Sequence, residues 1–254
     1  YSLNSRENRL SPTNNEFNTI SNSVLTSGNW YRFYVVKSGV YRITKSFLSE
    51  LGINVDGVDP RKIKIYGNGG RMIPLENSQY YPADLAENAI QVFGEEDGIF
   101  NNSDYILFYA EGVDQWSVDS QTTNNLYDSK SYYYVNIQGN DGKRMSTMPQ
   151  PSAASDVVIN TFDDYQYHEL DKVNIVRLGR RWFGEQFDFE NQQEIDFKIP
   201  NINTNTPVNV FVYAAAISTT STSMEVKANS ETIGNMTFTP AASSVRADWA
   251  TLSA

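Results

Sequence analysis

The run DPRKIKIYGNGG, residues 59–70, reads in one direction only. Asp59-Pro60 enters a turn. Ile63 and Ile65 alternate with Lys62 and Lys64, the period-2 pattern of a half-buried strand, and Tyr66 closes it. Gly67-Asn68-Gly69-Gly70 then turns the chain back, because Gly and Asn tolerate positive φ. The glycines do not form a phosphate cradle: neither a helical pattern nor Lys-Ser/Thr follows them. A second stretch echoes this one. GEEDGIFNNSDYILFYAEG, residues 94–112, is an acidic, turn-rich loop that feeds a strand over 105–109.

Outward from these two blocks the pattern stays β. Residues 1–26 are polar and Asn/Ser-rich and read as an arm, with a short strand near Val24. WYRFYVV, residues 30–36, is a strand; Lys37-Ser38-Gly39 is a tight turn, and 40–43 returns as a second strand. Thr44 offers a helix cap, Phe47, Leu48 and Leu51 give one helical face, and Gly52 stops it. Residues 72–75 follow the Gly turn, 83–87 read as one helical turn, and 89–93 as a strand. The nearly continuous apolar run 104–109 predicts a central strand buried on both faces. In 132–137, Tyr133, Val135 and Ile137 share one face.

Prolines and small residues at 148–155 interrupt every periodic pattern and mark a domain boundary. Beyond it, 157–162, 165–170, 194–199, 208–212, 224–228, 233–238 and 246–252 read as strands or extended segments. The expectation is an all-β or β-dominated chain with one or two short helices. It has an arm (1–26), a first β domain (27–148) and a second domain (156–254), an antiparallel β-sandwich whose C-terminal boundary is left open.

Composition excludes several functions. The 254 residues carry a net charge of −10, which repels phosphate backbones and argues against nucleic-acid partners. No apolar run approaches membrane-spanning length, so no membrane insertion is expected. There is no Cys and a single His, His168, so thiol nucleophiles, disulfides and multi-His metal sites are absent. Residues 1–3 show no leader pattern: a signal was trimmed before this start or none existed.

Five stretches carry a family resemblance: GNWYRFYVVKSGVYRIT, DPRKIKIYGNGG, LAENAIQVFGEEDGIFNNSDYILFYAEG, SYYYVNI and GRRWFGEQFDF. In this order they resemble the N-terminal region of the type IX secretion sortases of Bacteroidetes. These are PorU-like C-terminal signal peptidases with a gingipain-type catalytic domain. The resemblance runs over roughly 27–254. It implies a location at the cell surface or outer membrane after signal-peptide removal. It also implies a C-terminal peptidase domain, with a Cys nucleophile and a His partner, as the first partner of this region. Other secretion-system or surface proteins are the further partners implied. With no Cys, no catalytic residue of the family maps onto this chain. The expectation is therefore a non-catalytic front portion of a larger surface enzyme.

Four places invite chemistry. The acidic loop (Glu95, Glu96, Asp97, Asn101, Asn102 and Asp104) offers oxygen ligands of the kind Ca²⁺ accepts, without EF-hand spacing; the alternative is a solvated turn capped by Asp104. Arg177, Arg180 and Arg181 beside Trp182, Phe183 and Glu185 form a docking knot, or an internal pin in which Arg stacks on Trp182 and pairs with a carboxylate. His168, in YQYHEL, has no assignable second ligand and reads as a surface or strand histidine. Trp30, Trp116, Trp182 and Trp249, with the surplus of Tyr, could form a sugar-stacking platform. The competing function is thus a stand-alone adhesion or carbohydrate-binding module. A two-carboxylate glycosidase is a third reading, but nothing singles out one acidic pair.

Overall fold

The computed structural model describes residues 20–118, 121–150, 152, 157–175 and 181–241, and the backbone of 248–253. Over these residues it is β-dominated, with antiparallel sheets, one short α-helix and two 3₁₀ turns. The chain forms two compact units, Tyr1–Ser152 and Ala153–Ala254.

The first unit contains β1 (Tyr31–Val35), β2 (Gly39–Thr44), α1 (Lys45–Glu50), β3 (Lys64–Tyr66), β4 (Glu87–Asn88) and β5 (Gln91–Phe93). It continues with β6 (Tyr105–Ala110), β7 (Asp114–Ser117), β8 (Thr122–Asn124) and β9 (Ser131–Asn136). One sheet has the order β1-β9-β3-β4, the other β2-β6-β5; β7 and β8 form a separate ribbon. Alternation sends Phe33, Val35, Ile65, Tyr133 and Val135 inward from the first sheet. Ile43, Val92, Ile106, Phe108 and Ala110 enter the same core from the second. Phe108 meets Phe33 and Tyr133 edge-on, at 5.9 and 5.4 Å between ring centres, which joins the two layers.

The tight turn after β1 does not make a hairpin. β1 pairs with β9, whereas β2 pairs with β6, so the chain changes sheets at residues 36–38. The corner is held from outside. The Ser38 N–H donates to Asp114 Oδ1 (2.8 Å), the Gly112 N–H donates to Ser38 Oγ (2.9 Å), and the Val113 N–H donates to the Val36 carbonyl (3.0 Å). Local turn chemistry cannot foresee this, because the competing ladder partners lie some sixty to a hundred residues away.

The helix forms as its cap predicts: Thr44 Oγ1 accepts from the Phe47 N–H, and Leu48 is fully buried. Beside Val24 the chain makes a 3₁₀ turn, Val24–Thr26, instead of a strand; Ser23 Oγ and the Val24 N–H both donate to Asp84. These contacts, the backbone bond from Val24 first, hold the Asp84 carboxyl below its usual range. The helical turn read at 83–87 is absent, and β4 takes its end. Strand β6 is central, as expected, but only one of its faces is buried; Tyr109 on the other is exposed. The rest of the arm, 1–19, lies outside the described residues.

The second unit contains β10 (Phe211–Ala216), β11 (Thr222–Ala228), β12 (Glu231–Phe238) and β13 (Asp248–Ser253). They form two antiparallel pairs, β10-β13 and β11-β12, and β12 lies beside β13. The expected strands over 157–170 and 194–199 carry no ladder. The one pairing in that part of the described chain is an isolated bridge between Val173 and Phe183. Alternation specifies which side chains share a face; it does not supply a neighbour to bond.

Candidate functional site

The organising stretch is held as a node. Arg61 bonds back to Asp59 with its backbone N–H and its guanidinium, which keeps the Asp59 carboxyl below its usual range. A 3₁₀ turn, Pro60–Lys62, precedes β3. Arg144 then reaches in from the far end of the unit. Its guanidinium donates to the carbonyls of Pro60 (3.0 Å), Arg61 (2.9 Å) and Ile63 (3.3 Å), and its Nε to Glu95 Oε2 (2.9 Å). After β3, Asn68 bonds the Asp84 carbonyl and the Ala86 N–H, pinning the Gly turn to the chain leading into β4.

That geometry answers part of the acidic-loop question. Glu95 is turned to Arg144. Asp97 accepts from the Ile99 N–H (2.9 Å) and from Asn101 Nδ2 (3.1 Å), and buried Asp104 accepts from the Asn101 N–H (2.6 Å) and Ser103 Oγ (3.2 Å). Asn101 thus links Asp97 to Asp104, while Glu95 faces elsewhere and Glu96 is exposed. Among the described residues, no three His, Asp or Glu side chains are grouped so as to hold a metal ion.

The outer face of the β1-β9-β3-β4 sheet is rich in aromatics. Register places Arg32 opposite Tyr134, Tyr34 opposite Tyr132 and Tyr66 opposite Tyr134, all on the side away from the core. The Arg32 guanidinium lies 4.8 Å from the Tyr132 ring centre, and Lys130 Nζ lies 4.2 Å from that of Tyr34. Trp30 packs edge-on against Tyr66 at 5.1 Å, and the Tyr66 hydroxyl donates to Glu87 Oε2. Burial, and then the Glu87 charge, push the Tyr66 phenol up. The outer face of β2-β6-β5 repeats the theme, with Arg42 4.1 Å from the Tyr105 ring centre and Phe93 stacked on Tyr105. Taken residue by residue, WYRFYVV and SYYYVNI read as separate strands and reveal no common face. Their shared register makes one surface of them.

In the second unit, Glu185 of the knot is turned to the lone histidine: its Oε1 lies 2.6 Å from His168 Nε2. Trp182 is partly exposed and Arg181 is exposed; Arg177 and Arg180 lie outside the described residues. No motif or spacing singles out Asp171. Burial, followed by the charge of and a hydrogen bond with Glu169, pushes its carboxyl up to about 6. Of the four tryptophans, Trp30 is half-buried and edge-on to its neighbour, Trp116 and Trp182 are exposed on different units, and the Trp249 side chain lies outside the described residues. No helix among the described residues is long and apolar enough to cross a membrane.

No protein-family model matches the chain, and no curated protein matches it significantly. Among solved structures, it is similar to the crystal structure of dimeric latent PorU from Porphyromonas gingivalis, with a TM-score of 0.57 and 21% identity. The likeness covers 91% of this chain and 22% of that one, so the chain spans about a fifth of the length of the structure it matches. At this identity the likeness establishes the fold: this is a chain with the β architecture found in part of a PorU structure.

Proposed function

We propose that this chain is a non-catalytic region of a larger, surface-located, gingipain-like sortase of the type IX secretion system. It would act as a scaffold and docking region for a peptidase domain that it does not itself contain. The observation that carries this is the fold likeness, which takes in almost all of this chain and a fifth of the PorU chain. The five motifs in order support it. So does the lack of any Cys, since a thiolate peptidase cannot operate from these residues. The aromatic, Arg-bearing faces suit docking, because Tyr, Trp and Arg supply contact area at low entropic cost.

The test is the mass of the natural protein in cells, read with an antibody against residues 27–148. The expected band is several times larger than 28.7 kDa, with a Cys- and His-bearing peptidase in its tryptic peptides. A band at 28.7 kDa overturns the reading. In that case the second reading, a stand-alone carbohydrate or adhesion module, takes its place. One feature favours it: Tyr165 and Tyr167 are exposed with nearly parallel rings, 25° apart. Glycan-array binding lost in Tyr165→Ala would establish it.

A further inference from the structure

In the second unit, the segments 168–173 and 183–185 form a short ribbon that belongs to no sheet among the described residues. Three backbone bonds close it. The Lys172 and Val173 N–H groups donate to the Phe183 carbonyl (3.0 and 2.9 Å), and the Phe183 N–H donates to the Val173 carbonyl (2.8 Å). Leu170 lies against Gly184, where an added Cβ would meet Leu170 Cβ at 2.6 Å. So short a pairing is marginal in water, and interactions the size of one hydrogen bond decide how often it opens.

Two titratable pairs sit on this ribbon. His168 and Glu185, 2.6 Å apart, join its two segments; their side chains are 31% and 26% exposed, and they attract as ions only while the imidazole is protonated. Three residues on, Asp171 is hydrogen-bonded to Glu169, and two carboxyl groups bond each other only while one holds a proton. Burial of Asp171 and the Glu169 charge both oppose the doubly ionised form. The other charged side chains of 163–175 and 181–188 are Asp163, Asp164, Asp188, Lys172 and Arg181, in the described parts of both stretches. Asp164 and Asp188 accept from the Tyr165 and Phe189 N–H groups. Lysine and arginine side chains do not titrate near neutrality, so they add no second transition there.

We infer that this ribbon is a pH-sensitive clasp, closed while each pair holds a proton and loosened when both pairs lose it, so that pH sets how firmly the Trp182-Phe183 motif is held. The two pairs act in one direction: protonation gives the first its attraction and spares the second its repulsion. Closure is therefore favoured in mild acid and weakens as pH rises. For Asp171, whose carboxyl is raised from 3.8 to about 6, closure is fully supported below the lower value and lost through the upper one. The clasp lies within the second unit and does not depend on the chain's belonging to a larger protein.

Amide hydrogen exchange of the full chain at pH 5 and pH 7.5, read by NMR and corrected for the intrinsic pH dependence of exchange, tests this. The Lys172, Val173 and Phe183 amides should open about tenfold more often at pH 7.5, relative to those of β9. Asp171→Asn keeps a partner for Glu169 without the repulsion. It should protect the three amides better than in the parent at pH 7.5, with β9 unchanged. His168→Gln should lower the protection at pH 5, and the double variant should show the same protection at both pH values. Equal protection of the parent at pH 5 and 7.5 overturns the inference. So does a pH response that survives in the double variant, or Asp171→Asn opening at pH 7.5 as readily as the parent.

Discussion

Gly67 lies flat against the ring of Tyr133: a Cβ at position 67 would sit 2.8 Å from Tyr133 Cε1 and closer still to Cδ1. Tyr133 is itself fixed, because its hydroxyl accepts from the Glu111 N–H (2.7 Å) and donates to the Glu111 carbonyl (3.1 Å). The ring also spans the core, stacking near Phe33 and meeting Phe108. The first glycine of the GNGG turn is thus required for close approach, while Gly69, at φ +81°, is required for its backbone angle. Gly67→Ala should destabilise the first unit by about 1–3 kcal/mol, the usual cost of overpacking a fixed core. Guanidinium melts followed by Trp fluorescence check it. An unchanged midpoint would mean that the ring yields freely.

Arg144 should matter more through the carbonyls it satisfies than through its charge. Arg144→Lys keeps the charge but cannot reach the Pro60, Arg61 and Ile63 carbonyls together. The expected loss is about 1–3 kcal/mol. Glu95→Gln removes only a partly buried ion pair, leaves the three carbonyl contacts intact and should cost about 1 kcal/mol. The order of the two melting midpoints decides the point; if Glu95→Gln is the more damaging, charge governs.

Calcium is expected to leave the melting temperature within about 1 °C of its value in chelator, because a ligand that binds only the folded state must raise stability and the loop carboxylates are already engaged. A rise of several degrees at millimolar Ca²⁺ would show that Glu95, Asp97 and Asp104 regroup around the ion.

Asp171 should titrate near pH 6, visible in carboxyl carbon NMR and assigned by its loss in Asp171→Asn. Its folded-state pKa is raised, so the folded protein holds the proton more tightly than the unfolded chain does. Stability from this group is therefore greatest below its ordinary value of 3.8 and declines as pH rises through about 6. Asp171→Asn should flatten that part of the pH–stability curve and be at least as stable as the parent at pH 7. A titration midpoint near 4 would remove the basis for this.

Replacing Arg32 and Tyr34 together by Ala should leave the β1 amides protected, since both side chains point away from the core, but weaken any docking through the outer face of the first sheet. If the proposed peptidase domain exists, its retention by the variant, read by co-precipitation after mild proteolytic nicking, checks the second half. Undiminished retention would assign docking to another surface.

Strands β1, β2, β3, β6 and β9, the helix at Thr44, the Gly turn after Tyr66 and the inward set Tyr133 and Val135 were all legible in the residue pattern. Each depends on local propensity or on a period of two, which neighbouring residues determine among themselves. The acidic turn was legible too, as an Asp-capped loop, because Asp97 and Asp104 bond backbone only two or three residues away.

Everything that required a distant partner was decided by the tertiary structure. The partition of β1 and β2 into different sheets depended on β9 and β6. The role of Arg144 depended on carbonyls some eighty residues earlier, and the pairing of His168 with Glu185 on a contact across 17 residues. In 194–199 the same rule shows from the other side: the alternation is plain and the strand is absent. A side chain's face follows from its own neighbours in sequence. Its partner follows from loop closures whose entropy only the assembled core offsets.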